Sequence, residues 1–417
     1  MSKIINISTS DAGGAGTAAY RIHSEFINNN MDSLLLVKNG TIIDKNIIPY
    51  RRETQFNSIV NKISAKFGVI DRIISLFLNQ KYLFFSLFNH ADLKKSNWLK
   101  MHLTDDTEVI IVHWTAGFMS LADVATAIKN KPIKVFINLV DMAHFTGGCH
   151  FSFGCKGYEK QCFNCPATIS TQLSKKIRSN MMTNAIQVKE MGAIAISFSH
   201  FTLNQARNSS VPFNDYYFMK QPINENNFFS KEVCINKSEN LKVTKKILMG
   251  SYNKHDERKG YFTFLLAVQK LSDLMFNKSL QIEILVPDDD DFSELQFENI
   301  VVVKYKKAVN ETELRNLYLG SDLFISTSID DTGPLMLAES LFCGIPVIAT
   351  STGCASELLN YDQKLGDLIE IMDHENLARI IFHRLFVTDF WPHNCKEIEA
   401  TSKAFYFNAK KYIDLVE

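Results

Sequence analysis

Twice along the chain, short apolar runs with strand character alternate with stretches of helical period, and turn residues follow each run before the helix begins. Such alternation predicts βαβ units, whose strands lie parallel because a crossover helix is needed to bring the chain back to the same end of the sheet. The first half carries Ile4–Ser8, Ser33–Val37, Val109–His113, Val135–Leu139 and Ile194–Ser197. The second carries Lys246–Met249, Ile282–Val286, Ile300–Val303, Leu323–Ser326 and Val347–Ala349. Two doubly wound, Rossmann-like α/β domains are expected, and 417 residues suffice for two or three cores at about 150 residues per domain.

The polar stretch beginning Gln221-Pro222-Ile223-Asn224-Glu225-Asn226-Asn227 has little periodicity and reads as the break. The expected domains are 1–222 and 244–393, joined by a linker at 223–243. A final helical pattern at 394–417, with Ala404, Phe405, Phe407, Ala409 and Tyr412 near one face, is expected to pack back toward the first domain.

Charge narrows the function classes. Forty-five Lys and Arg balance 45 Asp and Glu, so the broad basic footprint of a nucleic-acid binder is missing and no nucleic-acid partner is expected. The opening Met1-Ser2-Lys3-Ile4-Ile5-Asn6-Ile7 lacks the basic start and apolar core of a leader, so a cytoplasmic address is expected. The apolar stretch Val69 to Phe88 is broken by Asp71, Arg72, Asn79, Gln80 and Lys81 and does not read as a span. A core helix or an interfacial helix remains, the latter giving peripheral contact with the inner face of the cell membrane.

Two loops carry the first chemical signals. Ser8-Thr9-Ser10-Asp11-Ala12-Gly13-Gly14-Ala15-Gly16 follows a strand and opens a helix, which offers bare amides around Gly13 and Gly14 to a phosphate or substrate. It is not a dinucleotide fingerprint, because the G-x-G-x-x-G spacing is unmet and Leu36-Val37-Lys38 stands where a ribose-binding acid belongs; a plain tight turn is the alternative. The second loop is Asp330-Asp331-Thr332-Gly333-Pro334-Leu335-Met336-Leu337-Ala338-Glu339, after the strand Leu323–Ser326. Pro334 fits the first helical position, Gly344 the position after the helix, and Pro346 opens the next strand. Asp331 and Glu339 are expected to face one crevice beside the amides of Leu335 and Met336, which suits both the vicinal hydroxyls and the diphosphate of a sugar nucleotide.

This pattern resembles the family 4 glycosyltransferases of GT-B fold, marked by two acids separated by seven residues and a tail like Ser340-Leu341-Phe342-Cys343-Gly344-Ile345-Pro346-Val347-Ile348-Ala349. Lys246 to Ser251 followed by Arg258-Lys259-Gly260, His113-Trp114, Thr352-Gly353 and Glu357-Leu358-Leu359 resemble further landmarks of that family. The resemblance implies two domains facing an inter-domain cleft. It implies donor binding by Arg258, Lys259, Gly333, Leu335, Met336 and Glu339, with Glu339 on the ribose hydroxyls and Asp331 on the donor sugar. Lys259 and Arg258 would neutralise the departing diphosphate, and His113 would orient the sugar. It implies retention of configuration and no metal in catalysis.

A third signal is Asp141-Met142-Ala143-His144-Phe145-Thr146-Gly147-Gly148-Cys149-His150, continuing to Cys155, Cys162 and Cys165. Four cysteines, including one C-x-x-C, have the number and type of ligands for a structural tetrahedral zinc that would pin the insertion at 144–166. Free thiols or a disulfide are the alternatives. The Thr-Gly-Gly-Cys-His segment resembles glycosyltransferases of colanic-acid and O-antigen type, which implies that Asp141 and His144 border the acceptor site.

The expected activity is hexose transfer from a nucleotide-diphosphate sugar to a glycan acceptor, lipid-linked, in surface polysaccharide (lipopolysaccharide) biosynthesis. A GT-B epimerase or phosphorylase, and a non-catalytic sugar-binding or scaffold protein, are the alternatives.

Overall fold

A computed structural model describes residues 3–50, 85–86, 91–228, 244–250, 256–275, 281–287, 297, 299–305, 310–387 and 395–403. The chain divides between Met219 and Lys220 into two compact units. Each is built on a wholly parallel sheet, as the alternation of runs requires.

In the first unit the strands are β1 (Lys3–Ser10), β2 (Asp32–Asn39), β3 (Ile47–Pro49), β4 (Thr107–Val112), β5 (Lys134–Asn138), β6 (Ile194–Ser197) and β7 (Tyr216–Phe218), in the order β3-β2-β1-β4-β5-β6-β7. β1 is buried along nearly its whole length, since helices cover both faces of a parallel sheet. Ile5, Ile7, Ile110, Val112, Val135 and Ile137 form the middle of one core, while Ala19, Leu35, Val37 and Ile47 pack separately. The helix Gly13–Asn28 lies close against β1 because Gly16 has no side chain: a Cβ there would stand 2.7 Å from the Ser10 carbonyl oxygen.

The second unit has β8 (Thr244–Met249), β9 (Gln281–Pro287), β10 (Ile300–Tyr305), β11 (Leu323–Ser326), β12 (Val347–Thr350) and β13 (Gly366–Ile369), in the order β10-β9-β8-β11-β12-β13. Both sheets reverse direction of winding beside their first strand, between β1 and β4 and between β8 and β11. Crevices at the carboxyl ends of such strand pairs are where open α/β sheets take ligands. Met249 and Ser326 therefore point to one place, and Ser10 and Val112 to another.

Three edge strands were not expected. β3 has three residues and ends on Pro49, tolerated at an edge because proline cannot donate to a ladder. β7 reads Tyr-Tyr-Phe and β13 begins on glycine. None has the length of an apolar run.

The expected linker also differs. Ile223 and Phe228 are buried in the second unit, and Asn224 and Asn227 donate to Glu311 at 2.9 and 2.6 Å. Polar residues there are spent on fixed hydrogen bonds, so 221–228 is folded; residues 229–243 lie outside the described residues. The last helix is described at Cys395–Ser402, where Ile398 packs into the second unit's core beside the helix Leu335–Phe342. Residues 404–417, with the apolar face expected to reach the first domain, lie outside the described residues, as does the stretch Val69–Phe88 apart from Phe85 and Ser86. Among the described residues no helix is long and apolar enough to cross a membrane.

Candidate active site

In the second unit the geometry starts from one glycine. Gly260 has φ +63°, and a Cβ on it would lie 1.9 Å from the carbonyl oxygen of Thr327. Only glycine lets the turn Glu257–Lys259 lie against the loop after β11. Two donors then stitch the two segments: Ile329 N–H to the Arg258 carbonyl at 2.7 Å, and the Thr327 hydroxyl, whose one proton is shared between the carbonyls of Lys259 and Gly260 at 3.1 and 2.9 Å.

That stitching delivers two cations to one carboxylate. Lys259 Nζ stands 2.6 Å and Arg258 Nη1 3.1 Å from Asp331 Oδ2, and Arg258 Nη2 binds Asp256 Oδ2 at 2.9 Å. Asp331 also accepts from the Gly333 N–H at 3.2 Å. Burial alone would raise the Asp331 pKa, but the Lys259 and Arg258 charges outweigh it and hold the carboxyl below its ordinary range. The Lys259 side chain keeps 21% of its surface, so the cluster is open to a further anion.

The loop is fixed from below. Gly353, with φ +54°, passes so close that a Cβ would be 2.9 Å from the Gly333 nitrogen, and Gln221 Nε2 donates to the Gly333 carbonyl at 2.9 Å. Gln221 was expected only as the edge of a linker. The helix starts at Leu335 with Pro334 as its cap, one residue later than expected, and no side chain caps it. Leu335 and Met336 sit there half-buried.

Glu339 differs from an open carboxylate: it is 2% exposed and accepts from the Tyr318 hydroxyl at 2.9 Å. The helix that carries it is eight residues long and buried along most of its length, which draws the side chain inward. Asp331 thus meets the cations, and Glu339 meets Tyr318. Tyr318 carried no sequence signal beyond its place on a helix.

In the first unit Gly13 and Gly14 are exposed at the start of their helix, Gly13 with φ +76°, and a Cβ on either would touch nothing within 4 Å. Asp11 beside them accepts from Thr41 and Ile42, which ties this loop to the one after β2.

His113 lies away from solvent. Its side chain is buried, Nε2 pairs with Asn6 Oδ1 at 3.0 Å and Nδ1 with Asn138 Nδ2 at 3.0 Å. Burial, with the neighbouring His23, lowers its pKa to about 3, so the ring is neutral. The expected sugar-orienting ring is instead a strut joining β1, β4 and β5, because polar residues on three neighbouring strands must satisfy one another.

Asp141 and His144 do come together. His144 Nε2 lies 3.1 Å from the His113 carbonyl oxygen, and Asp141 Oδ1 accepts from the Ala143 N–H at 2.8 Å. Asp141 Oδ2 is 2.5 Å from His150 Nδ1, and His150 Nε2 is 2.8 Å from Ser86 Oγ. Burial would raise the Asp141 pKa, but His150 outweighs it and the carboxyl stays low. The motif carries no assigned role for His150, and the acid nine residues before it is the sequence signal for this pair.

Residues 235–383 match the family model described as Glycosyl transferases group 1. No curated protein matches the chain. Among solved structures, a glycosyltransferase from Rickettsia africae ESF-5 is 17% identical with a TM-score of 0.60, covering 100% of this chain and 98% of that one. HepE of Anabaena, solved with UDP and glucose, is 13% identical with a TM-score of 0.60 over 99% and 98%. WaaG, a glycosyltransferase involved in lipopolysaccharide biosynthesis, is 12% identical with a TM-score of 0.61 over 99% of each chain. At these identities the structures establish the fold: an α/β protein with the parallel sheets of GT-B glycosyltransferases. The matched segment adds the activity class, for residues 235–383 carry a group 1 glycosyl transferase domain and the chain is a transferase.

Proposed function

We propose that the chain transfers a hexose from a nucleotide-diphosphate sugar to a glycan acceptor, with retention of configuration. The observation that carries this reading is the Arg258–Lys259–Asp331 cluster, held by backbone stitching at the winding reversal of the matched domain. A diphosphate arriving there gains charge-assisted hydrogen bonds from Lys259 and Arg258, which strengthen as the bond from the anomeric carbon to the diphosphate oxygen breaks and its electron pair leaves with the nucleotide. The open amide end at Leu335 and Met336, with Gly333 before it, adds donors to the same anion. Asp331 then accepts from donor-sugar hydroxyls, and Glu339, oriented by Tyr318, from the ribose.

On the first unit, Gly13 and Gly14 leave open space for a ligand, and Asp141 and His144 border the acceptor. His113 acts by supporting His144 through its carbonyl. Catalysis in this reading uses no metal.

The acceptor is lipid-linked, in surface polysaccharide biosynthesis such as that of O-antigen, and the enzyme works in the cytoplasm against the inner face of the membrane. Supporting this are Met182 and Ile186, exposed on the helix Thr171–Glu190 that also carries Lys175, Lys176 and Lys189. The test is turnover of sugar nucleotides by Glu339→Ala and Lys259→Ala. Each should lower transfer by orders of magnitude while the protein stays folded; near-normal turnover in both refutes the assignment.

A further inference from the structure

The segment between β5 and the helix Thr171–Glu190 builds little regular structure, only the short turns Ala143–Phe145 and Gly157–Lys160. Four left-handed non-glycine residues crowd it: Phe153 (φ 47°), Gln161 (61°), Cys162 (52°) and Asn164 (50°). Each costs about 1–2 kcal/mol, and such conformations persist where something over-determines them. Short turns alone do little of that.

Four sulfurs gather there. Cys149, Cys155, Cys162 and Cys165 line one hollow together with Tyr158 and Pro166, and all four are free of disulfides. Two of the sulfurs accept from backbone N–H groups. The Gly147 N–H donates to Cys162 Sγ at 3.2 Å and the Gly157 N–H to Cys155 Sγ at 3.3 Å. The Thr146 hydroxyl holds the same turn by donating to the Cys149 backbone carbonyl at 2.8 Å. A neutral thiol is a weak acceptor that gains little from such an arrangement, whereas a metal-bound thiolate is routinely held by donors of this kind.

The approach of Cys149 is itself built. A Cβ on Gly147 would lie 2.4 Å from Ile177 Cγ2 and 2.8 Å from the Ile177 carbonyl oxygen, and one on Gly148 would lie 2.5 Å from the Ser86 carbonyl oxygen. Two glycines therefore let the chain dive between the helix and Ser86 to bring Cys149 to the other three.

We propose that Cys149, Cys155, Cys162 and Cys165 hold one zinc ion as a closed four-thiolate site. Among the described residues no group of three or more Cys, His, Asp or Glu side chains is already arranged to hold a metal, so binding would require the four Sγ atoms to converge on the ordinary Zn–S distance of about 2.3 Å. Binding releases the thiol protons to solvent and involves no redox step. With no open coordination position the ion is structural. It fixes the segment that presents Asp141, His144 and His150, and it stands whether or not the activity proposed above is correct.

The experiment is elemental analysis of the full chain, purified without chelators, with zinc and iron counted per chain. About one zinc and no iron is expected. Titration of the folded protein with an organic mercurial should release that zinc to a colorimetric indicator, and Co²⁺ replacement should give thiolate-to-cobalt absorption. The paired variant Cys162→Ser with Cys165→Ser should lose the ion; if it fails to fold, the mercurial and cobalt measurements on the unaltered chain stand alone. Zinc far below one per folded chain, iron in its place, or a disulfide among the four cysteines overturns the proposal.

Discussion

Replacing Gly260 by alanine is the sharpest structural perturbation of the donor site, because its consequences can be worked from distances. The added methyl would sit 1.9 Å from the Thr327 carbonyl oxygen and 2.8 Å from its carbon, a backbone contact that no rotamer relieves. The turn must retreat by more than 1 Å. That retreat breaks the bond from Ile329 N–H to the Arg258 carbonyl and the one that Thr327 Oγ1 shares between the carbonyls of Lys259 and Gly260, at about 1 kcal/mol per donor. Alanine at φ +63° adds about 1 kcal/mol. The sum is about 3 kcal/mol, or roughly 10 °C of melting temperature for a unit of this size. Arg258 and Lys259 move with the turn, so nucleoside diphosphate affinity falls as well. The control is Gly320→Ala, where a Cβ meets nothing within 4 Å. Thermal melts and calorimetry of both variants decide the matter: a Gly260→Ala protein that melts and binds like Gly320→Ala refutes the reasoning.

Lys259→Met should weaken binding of whichever nucleoside diphosphate the protein takes about 10- to 100-fold, the worth of a charge-assisted hydrogen bond, while leaving the affinity for the matching bare nucleoside unchanged; equal losses for both in calorimetry would place Lys259 away from the diphosphate. The first unit should lose stability in acid. Burial lowers His23 to about 4 and His113 to about 3 from an ordinary 6.5, so the fold keeps both neutral while the unfolded chain takes up protons below pH 6.5. Stability is therefore full above that pH and falls by about 2 kcal/mol per histidine by pH 5. Denaturant midpoints should drop between pH 8 and pH 5, and His113→Gln should remove about half of that acid-dependent loss; an unchanged slope in the variant would contradict the assignment.

What could be read from sequence follows from where burial is repetitive. The central strands are apolar along their length because helices cover both faces, so β1, β4, β8 and β11 are legible as runs. β3 and β13 are too short and carry Pro49 and Gly366, so edge position rather than pattern makes them strands. The Asp331 loop was legible because its proline and glycines punctuate a helix. Its cations were not legible from spacing, since Arg258 and Lys259 reach it only through the strand order that sets β8 beside β11. His113 shows the opposite difficulty. Its partners Asn6 and Asn138 are polar residues inside apolar runs, a visible anomaly, but which strands lie side by side decides that they meet. Glu339 keeps its place in the motif, while its burial against Tyr318 depends on packing between two helices.

The central claim is that the second unit holds a nucleotide-diphosphate sugar on Arg258, Lys259, Asp331 and Glu339. It is tested most directly by calorimetric titration of the protein with UDP, GDP and NAD, with Glu339→Ala as the comparison. The account predicts saturable binding of one nucleoside diphosphate, weakened by the substitution, and none of NAD. Absence of diphosphate binding, or binding of NAD in its place, would contradict it.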